Sequence, residues 1–189
     1  MTTIIMLGGN GYLGREISRQ WLALDSQARI YTLSRSGKNS LQDERIINIA
    51  ADLQETEAVL AQLPMQADYV LNLVGAPAKT EEQEQQINVI PAQAAERIAR
   101  ATGARAIGFI GGLLGPKAFL ETKKELTEQL RASGIRVEVV EPTLIYGADR
   151  SDALAKMVPL FKFLGLFAAN MKPVLVQDVA AELIEKLTR

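Results

Sequence analysis

The sequence predicts an α/β protein built on a single doubly wound parallel sheet of about seven strands, with helices on both faces. Short runs of β-branched and other apolar residues alternate with longer amphipathic segments through all 189 residues. Runs such as 69–74 (YVLNLV) are apolar almost throughout, which is typical of strands buried on both faces of a parallel sheet. No linker, repeat or low-complexity tract interrupts the alternation, so we expect one domain over residues 1–189.

The strands are predicted from short apolar runs bounded by turn-forming residues. They cover residues 3–7, 29–33, 46–50, 69–74, 106–110, 136–141 and 173–176. The helices are predicted from apolar residues that recur three and four positions apart. They cover residues 12–24, 55–63, 81–101, 117–133, 152–164 and 178–187.

Local signals mark the ends of several predicted helices. Thr80 and Gln83 form a capping-box pattern before the third helix, and Asp178 is placed to cap the last one. Gly103 and Gly134 each follow a helical segment and precede a strand, where glycine commonly ends a helix. We interpret these residues as parts of the fold rather than of a site.

Composition excludes several kinds of chemistry. The chain has no cysteine and no histidine, which excludes disulfides, thiol nucleophiles, Ser-His-Asp triads and metal sites built from those ligands. Its 21 basic and 22 acidic residues give a net charge of −1, which argues against a nucleic-acid-binding module. We therefore expect no metal and no nucleic-acid partner, and chemistry that is limited to carboxylates, Lys, Tyr, Ser, Thr and any bound cofactor.

The apolar segments are too short for a signal peptide or for a helix that crosses a membrane. The run 3–7 ends at Gly8 and has no basic region before it, unlike a signal peptide. The stretch 160–169 contains Lys162 and is shorter than the roughly 18 apolar residues of a spanning helix. We therefore expect a protein that is not transmembrane and resides in the cytoplasm.

The first predicted strand runs into a glycine-rich loop, residues 8–14 (GGNGYLG), where the first helix begins. Gly8 permits a tight turn, Gly11 lets the backbone approach a pyrophosphate, and Gly14 lets the helix pack closely on the strand. The N-terminus of that helix offers N–H groups and a positive dipole end to phosphates. The loop predicts a dinucleotide ligand; the alternative is a glycine-rich turn without one.

The end of the second predicted strand bears on the choice of dinucleotide. A protein selective for NAD places an acid there for the ribose 2′-hydroxyl, but this chain has Ser34, Arg35, Ser36 and Lys38, with no carboxylate before Asp43. An arginine beside hydroxyl groups suits the 2′-phosphate of NADP, because a guanidinium pairs with two phosphate oxygens. We therefore expect NADP(H) to be favoured over NAD(H), unless these residues form an ordinary solvated loop.

With these motifs, the chain resembles the atypical short-chain dehydrogenase/reductase family over nearly its whole length. The loop 8–14 and the segment LSRSGK are similar to the branch containing the nucleotide-binding accessory subunit of respiratory complex I and members associated with coenzyme Q synthesis. Further matches are Asp52-Leu53, the segment NLVG at 72–75, Asn88, Lys123, and the segments EPTLIYG and PVLVQDVA. The resemblance implies a Rossmann-like NAD(P)-binding domain.

The resemblance also implies a set of cofactor contacts. Asp52 and Leu53 would contact adenine, Val74 and Gly75 would flank the ribose, and the segment 142–145 would border the nicotinamide. Each also has a structural interpretation: Asp52 as a helix cap, the 74–75 pair as a strand exit and Pro142 as a loop former. The full predicted set is Gly8, Asn10, Gly11, Tyr12, Leu13, Gly14, Ser34, Arg35, Ser36, Asp52, Leu53, Val74, Gly75, Lys123, Pro142, Leu144 and Ile145.

The catalytic pattern of the family is incomplete in this chain. Its reductases use a Tyr-x-x-x-Lys pair, but here Phe119 stands in the tyrosine position and only Lys123 is retained. The serine expected at the end of the fifth strand is also missing, because Gly111 and Gly112 follow the strand. A phenyl ring cannot donate a proton. Tyr146 is a candidate replacement if its loop folds over the nicotinamide; otherwise its ring anchors that loop.

The C-terminal substrate region, about residues 148–170, is much shorter than in extended members of the family. Its apolar segment 157–167 carries Phe161, Phe163 and Phe167. This segment could form a substrate lid, a partner-binding surface, a contact with a membrane surface, or ordinary core packing.

These observations leave two classes of function open. The first is an NADP(H)-dependent reductase whose acceptor, such as a flavin- or quinone-like ring, needs no proton from the protein. The second is a dinucleotide-binding sensor or assembly protein without turnover, with a nucleotide-free scaffold as a further alternative.

Overall fold

Six parallel strands form the main sheet of the protein. The structure is a computed structural model, and it describes residues 1–147 and 172–189. The strands are β1 (Thr3–Leu7), β2 (Arg29–Ser34), β3 (Ile46–Ala50), β4 (Tyr69–Asn72), β5 (Ala106–Ile110) and β6 (Arg136–Val140). Their order is β3-β2-β1-β4-β5-β6, and all neighbouring pairs are parallel. The predicted doubly wound α/β class is confirmed.

Helices cover both faces of this sheet. They are α1 (Tyr12–Leu24), α2 (Thr56–Leu60), α3 (Glu81–Glu84), a π-helical turn (Gln85–Val89), α4 (Ile90–Thr102), α5 (Lys117–Ala132) and α6 (Val176–Thr188). Helices α1 and α6 pack on one face, and α2, α4 and α5 pack on the other. The predicted helix 152–164 lies outside the described residues.

Strand β1 shows why the central runs lack an alternating pattern. Ile4 and Met6 belong to the core beneath α1 and α6, whereas Ile5 and Leu7 belong to the core beneath α2, α4 and α5. All four side chains are fully buried. A strand between two helical layers has no solvent-facing side, so apolar residues occupy consecutive positions.

The seventh predicted strand does not join the main sheet. Strand β8 (Val174–Leu175) pairs in parallel with β7 (Ile145–Tyr146) in a separate two-stranded sheet. It is short because α6 already begins at Val176, whose side chain is fully buried. The prediction that Asp178 caps this helix was wrong: Leu175 holds the N-cap position, and Asp178 lies in the first turn, where the helix dipole favours an anion.

The long helix predicted over 81–101 is interrupted by the π-helical turn. Pro91 follows that turn in the first positions of α4. Proline has no N–H group to donate to the preceding turn, so regular α-helical bonding cannot run through this point. The wider turn carries Asn88, which is fully buried.

The other predicted helix ends agree with the structure. The Thr80 hydroxyl accepts a hydrogen bond of 3.2 Å from the backbone N–H of Gln83. Gly103 ends α4 in the left-handed conformation with φ 64°, and Gly134 follows α5 with φ 81°. Among the described helices, none is long and apolar enough to cross a membrane.

Candidate functional site

A cleft of about 730 Å³ opens at the carboxyl end of the sheet, across β3, β2, β1 and β4. Its lining residues are Gly8, Leu33, Ser34, Arg35, Ala50, Ala51, Asp52, Leu53, Gln54, Val74, Gln86, Ile87, Ile90 and Pro91. The strand order reverses at β1, and ligands of open α/β sheets bind at such a switch point. The volume is in the range of small-molecule sites, roughly 300–1,000 Å³.

The glycine loop is shaped by close backbone contacts. Gly8 has φ +79°, a conformation that favours glycine, and a Cβ atom on Gly14 would lie 2.5 Å from the Cα of Gly9. The close partner of Gly14 is therefore the loop itself rather than the strand. Sequence reasoning missed Gly9, whose Cβ atom would lie 2.7 Å from Cγ2 of Thr32 on β2. The pair Gly8-Gly9 in the loop motif was the sequence signal that could have indicated this close contact.

Asn10 ties the glycine loop to the loop after β2. Its amide nitrogen donates hydrogen bonds of 2.8 Å to the Ser34 hydroxyl and 2.8 Å to the carbonyl oxygen of Lys38. Its Oδ1 atom is buried and accepts no hydrogen bond from the described residues. The two loops that carry the predicted phosphate contacts are therefore held together before any ligand is added.

Arg35 lies on the rim of the cleft with its side chain exposed. Within the described ranges no carboxylate forms an ion pair with it. Asp43, the first carboxylate after β2, instead pairs with Arg45 at 2.7 Å, and the hydrogen bond from Arg45 lowers the pKa of Asp43 to about 2. Ser36 does not line the cleft; its hydroxyl accepts a hydrogen bond of 3.2 Å from the Lys38 N–H.

Asp52 and Leu53, which follow β3, also line the cleft. An Asp52 carboxylate oxygen accepts a hydrogen bond of 3.0 Å from the backbone N–H of Gln54, which closes a tight turn after β3. Helix α2 begins at Thr56 with Glu55 in the N-cap position, so Asp52 does not cap it.

Lys123 is buried beside the end of β4, with 4% of its surface exposed. Its ammonium group donates a hydrogen bond of 3.4 Å to the carbonyl oxygen of Val74 and lies 4.6 Å from the ring centroid of Phe109. Burial lowers the pKa of Lys123 to about 8, although the nearby Glu84 carboxylate opposes that change. A Cβ atom on Gly75 would lie 2.9 Å from Cε of Lys123, so a side chain there would displace the lysine.

Asn88 anchors the loop after β4 through hydrogen bonds of its side chain. Its amide nitrogen donates hydrogen bonds of 2.9 Å to the carbonyl oxygen of Ala76 and 3.0 Å to a Glu84 carboxylate oxygen. Its Oδ1 atom accepts a hydrogen bond of 3.3 Å from the Ala76 N–H. The π-helical turn thus fixes the backbone that follows Gly75.

Phe119 lies 5.8 Å from the Lys123 ammonium group, measured to the ring centroid. Its ring packs on the loop between β5 and α5, where Cβ atoms on Gly112 and Gly115 would lie 3.6 Å and 3.0 Å from it. A Cβ atom on Gly111 would lie 2.9 Å from Cγ of Glu141. Sequence reasoning missed this contact, since no local pattern pairs positions 30 residues apart.

The segment after β6 lies apart from the cleft lining. Pro142 and Leu144 are buried, Ile145 and Tyr146 form β7, and the Pro142 carbonyl oxygen accepts a hydrogen bond of 3.1 Å from the Leu113 N–H. Tyr12 reaches the end of this segment, because its hydroxyl donates a hydrogen bond of 2.8 Å to the carbonyl oxygen of Gly147.

The structure thus gathers part of the predicted set into the cleft: Gly8, Ser34, Arg35, Asp52, Leu53 and Val74. Gly11, Tyr12, Leu13 and Gly14 lie at the start of α1, and Gly75 and Lys123 lie beside Val74. The segment 157–167 lies outside the described residues.

Comparison with known proteins agrees with this architecture. The model of the NAD dependent epimerase/dehydratase family matches residues 4–112, more than half of the chain, from β1 to the loop after β5. The chain belongs to the NAD-dependent epimerase/dehydratase family. The matched part of this family member includes the glycine loop and all the described residues that line the cleft. No curated protein sequence matches the chain.

Solved structures share the fold at low sequence identity. The Bordetella bronchiseptica enzyme WbmH in complex with NAD+ has a TM-score of 0.76 at 13% identity, with 100% of this chain and 72% of that chain covered. The UDP-Glc/GlcNAc 4-epimerase of Campylobacter jejuni has a TM-score of 0.71 at 15% identity, covering 100% and 74%. A Rossmann-fold NAD(P)-binding family protein from Shigella flexneri has a TM-score of 0.69 at 18% identity, covering 100% and 87%. This epimerase/dehydratase family member therefore has a Rossmann fold.

Proposed function

We propose that this protein binds NADP(H) in the cleft at the switch point of the sheet. The observation that carries the proposal is that one cleft combines the glycine turn, the end of β2 with Arg35, and the Asp52-Leu53 wall. The start of α1 fits a pyrophosphate, since Gly11 at the N-cap has no side chain and no side chain caps the helix.

The preference for NADP(H) over NAD(H) rests on charge at the end of β2. Arg35 forms no ion pair with the part of the chain that the structure describes, so its guanidinium is available to a 2′-phosphate. The first carboxylate after β2, Asp43, pairs with Arg45 and does not line the cleft. Asp52 and Leu53 would then contact the adenine, and Lys123, which lies against Gly75, would hold the second ribose.

The proposed reaction is hydride transfer to an acceptor that takes no proton from the protein. Bound NADPH would supply the hydride. Phe119 offers a ring instead of a hydroxyl, and Gly111 and Gly112 leave the end of β5 without a polarising side chain. Electron-poor rings of the flavin or quinone type meet this condition, because water can supply the proton later.

A second candidate function is a dinucleotide-binding sensor or assembly protein without turnover. The same missing hydroxyl groups favour it, and so does the resemblance to the branch of the complex I accessory subunit. In both proposals residues 1–189 act as a single NAD(P)-binding domain. The apolar segment 157–167 would serve a small-molecule acceptor or a protein partner.

Calorimetric titration with NADPH and NADH tests cofactor binding. A charged hydrogen bond between Arg35 and the 2′-phosphate, worth roughly 1.5–3 kcal/mol, predicts that NADPH binds about 10- to 100-fold more tightly than NADH. Arg35→Ala should remove most of this preference, whereas Arg29→Ala, an exposed arginine at the other end of β2, should leave it unchanged. Equal affinity of the wild-type protein for both dinucleotides would refute the role of Arg35.

Turnover separates the two candidate functions. NADPH is incubated without oxygen with the protein and either FMN or menadione, and its oxidation is followed by absorbance. Oxidation above the protein-free rate supports the reductase, while binding of NADPH without oxidation of any acceptor supports the sensor.

A further inference from the structure

The segment after β2 that carries Arg35 is a closed turn, the β2 turn (residues 34–38). The Gly37 N–H donates hydrogen bonds of 3.3 Å to the carbonyl oxygen of Ser34 and 3.1 Å to its hydroxyl group. Gly37 has φ +64°, and a Cβ atom on it would lie 3.0 Å from the backbone nitrogen of Ala50, so the turn packs tightly on the end of β3. The backbone of Arg35 is therefore held inside a turn that is bonded across its base.

Asn10 joins the β2 turn to the glycine loop. Its Nδ2 atom carries two hydrogens, and both are used, because it donates hydrogen bonds of 2.8 Å to the Ser34 hydroxyl and 2.8 Å to the carbonyl oxygen of Lys38. Arg15 donates a hydrogen bond of 2.8 Å to the Asn10 carbonyl oxygen, which ties the backbone of Asn10 to α1. Since the next residue is the N-cap of α1, the Asn10 side chain connects the start of that helix with the β2 turn.

The side chain of Asn10 has no polar group left for a ligand. Its Oδ1 atom is buried, and Asn10 does not line the cleft. The Lys38 carbonyl oxygen can only accept a hydrogen bond, so the amide group cannot turn over without losing that bond. The Asn10 side chain can therefore affect a dinucleotide through the β2 turn rather than by direct contact.

A 2′-phosphorylated dinucleotide requires two anion-binding groups at a set separation. Its 2′-phosphate and its pyrophosphate are attached to the 2′ and 5′ positions of one ribose, so the sugar limits the distance between them. The start of α1 and Arg35, which are proposed to bind these two groups, lie on different loops, and ordering loops during binding lowers affinity. NADH has no 2′-phosphate, so its binding does not depend on this separation.

We propose that Asn10 is a positioning residue that determines cofactor specificity: its two hydrogen bonds hold Arg35 at the separation from the start of α1 that a 2′-phosphorylated adenosine requires. This inference rests on the proposed function, because it assumes that NADPH binds in the cleft with its 2′-phosphate at Arg35. Loss of these bonds releases the β2 turn from the glycine loop, which weakens a ligand that carries both phosphates more than a ligand that carries one.

Calorimetry with the full chain tests this role, using NADPH, NADH, 2′,5′-ADP and 2′-AMP as ligands. Asn10→Ala removes both hydrogen bonds, and Asn10→Leu removes them while still filling the space of the side chain. Asn39→Ala is the matched control, because Asn39 is also a half-buried asparagine in the loop after β2, but its amide nitrogen donates a hydrogen bond of 3.0 Å to Asn48 on β3. Asn10→Ala is also combined with Arg35→Ala.

We expect both Asn10 variants to weaken binding of NADPH and 2′,5′-ADP about tenfold, or about 1.4 kcal/mol, and binding of NADH and 2′-AMP less than about twofold. Asn39→Ala should keep the wild-type ratio of NADPH to NADH affinity. In the Arg35→Ala protein, Asn10→Ala should affect NADPH no more than NADH, because the two residues act as one unit.

Failure of the wild-type protein to bind NADPH, or equal wild-type affinity for NADPH and NADH, would refute the proposed function. Where the wild type prefers NADPH, three results would overturn this inference alone. They are an unchanged affinity ratio in the Asn10 variants, equal weakening of 2′-AMP and 2′,5′-ADP, and the same loss of NADPH affinity when Arg35 is absent.

Discussion

Replacing Lys123 by methionine should stabilise the ligand-free protein at neutral pH. Burial lowers the pKa of Lys123 from 10.5 to about 8, so the folded protein binds this proton more weakly than the unfolded chain does. A tenfold change in a binding constant is worth about 1.4 kcal/mol, and the burial of the charged group therefore costs about 3 kcal/mol below pH 8. The cost falls as the pH rises from about 8 to 10.5, because the folded protein has already lost the proton there and the unfolded chain loses it progressively.

Urea denaturation, followed by fluorescence of the buried Trp21, measures this effect. At pH 7, Lys123→Met should have a free energy of unfolding up to about 3 kcal/mol above that of the wild type, and the difference should shrink towards pH 10. Lys124→Met, at the exposed neighbouring position, should change the stability by less than about 0.5 kcal/mol at either pH.

The same Lys123 variant should bind NADPH more weakly, which would explain why a costly buried lysine is present. A Lys123→Met protein that is less stable than the wild type at pH 7, with an unchanged difference at pH 10, would refute this reasoning.

Three further predictions concern the loops around the cleft. Gly11→Val should abolish NADPH binding in calorimetry while thermal unfolding remains cooperative, because the new side chain occupies ligand space; unchanged affinity would remove the glycine loop from the proposal. Gly9→Ala should lower the free energy of unfolding by about 1–3 kcal/mol, since its Cβ atom would lie 2.7 Å from Cγ2 of Thr32, and a wild-type urea midpoint would contradict this packing. Phe119→Tyr should restore little NADPH-dependent ketone reduction, because positions 111 and 112 are glycines and still lack a polarising hydroxyl. General acid catalysis typically contributes roughly 10²–10⁴-fold, and an increase of that size in the ketone reduction rate would show that the tyrosine alone suffices.

The sequence by itself determined the layered architecture and the position of the glycine loop. Because β1 is buried on both faces, its residues are apolar at consecutive positions, and this run is visible in the sequence. The run ends at Gly8, which locates the turn into α1. These features depend on interactions among residues close in the chain, such as strand periodicity, helix ends and the positive φ of Gly8, so a local pattern suffices to predict them.

The tertiary structure decided the contacts between segments distant in sequence. The pairing of β7 with β8, the hydrogen bond from Asn10 to Ser34, the burial of Lys123 and the contact of Gly111 with Glu141 each join residues that no local pattern relates. Each contact depends on how segments distant in sequence pack against one another once the sheet and helices have formed. Protein interiors are packed so closely that one added or missing atom changes which contacts can form. The residue type at 141 is visible in the sequence, but its place beside Gly111 follows from the parallel pairing of β5 with β6.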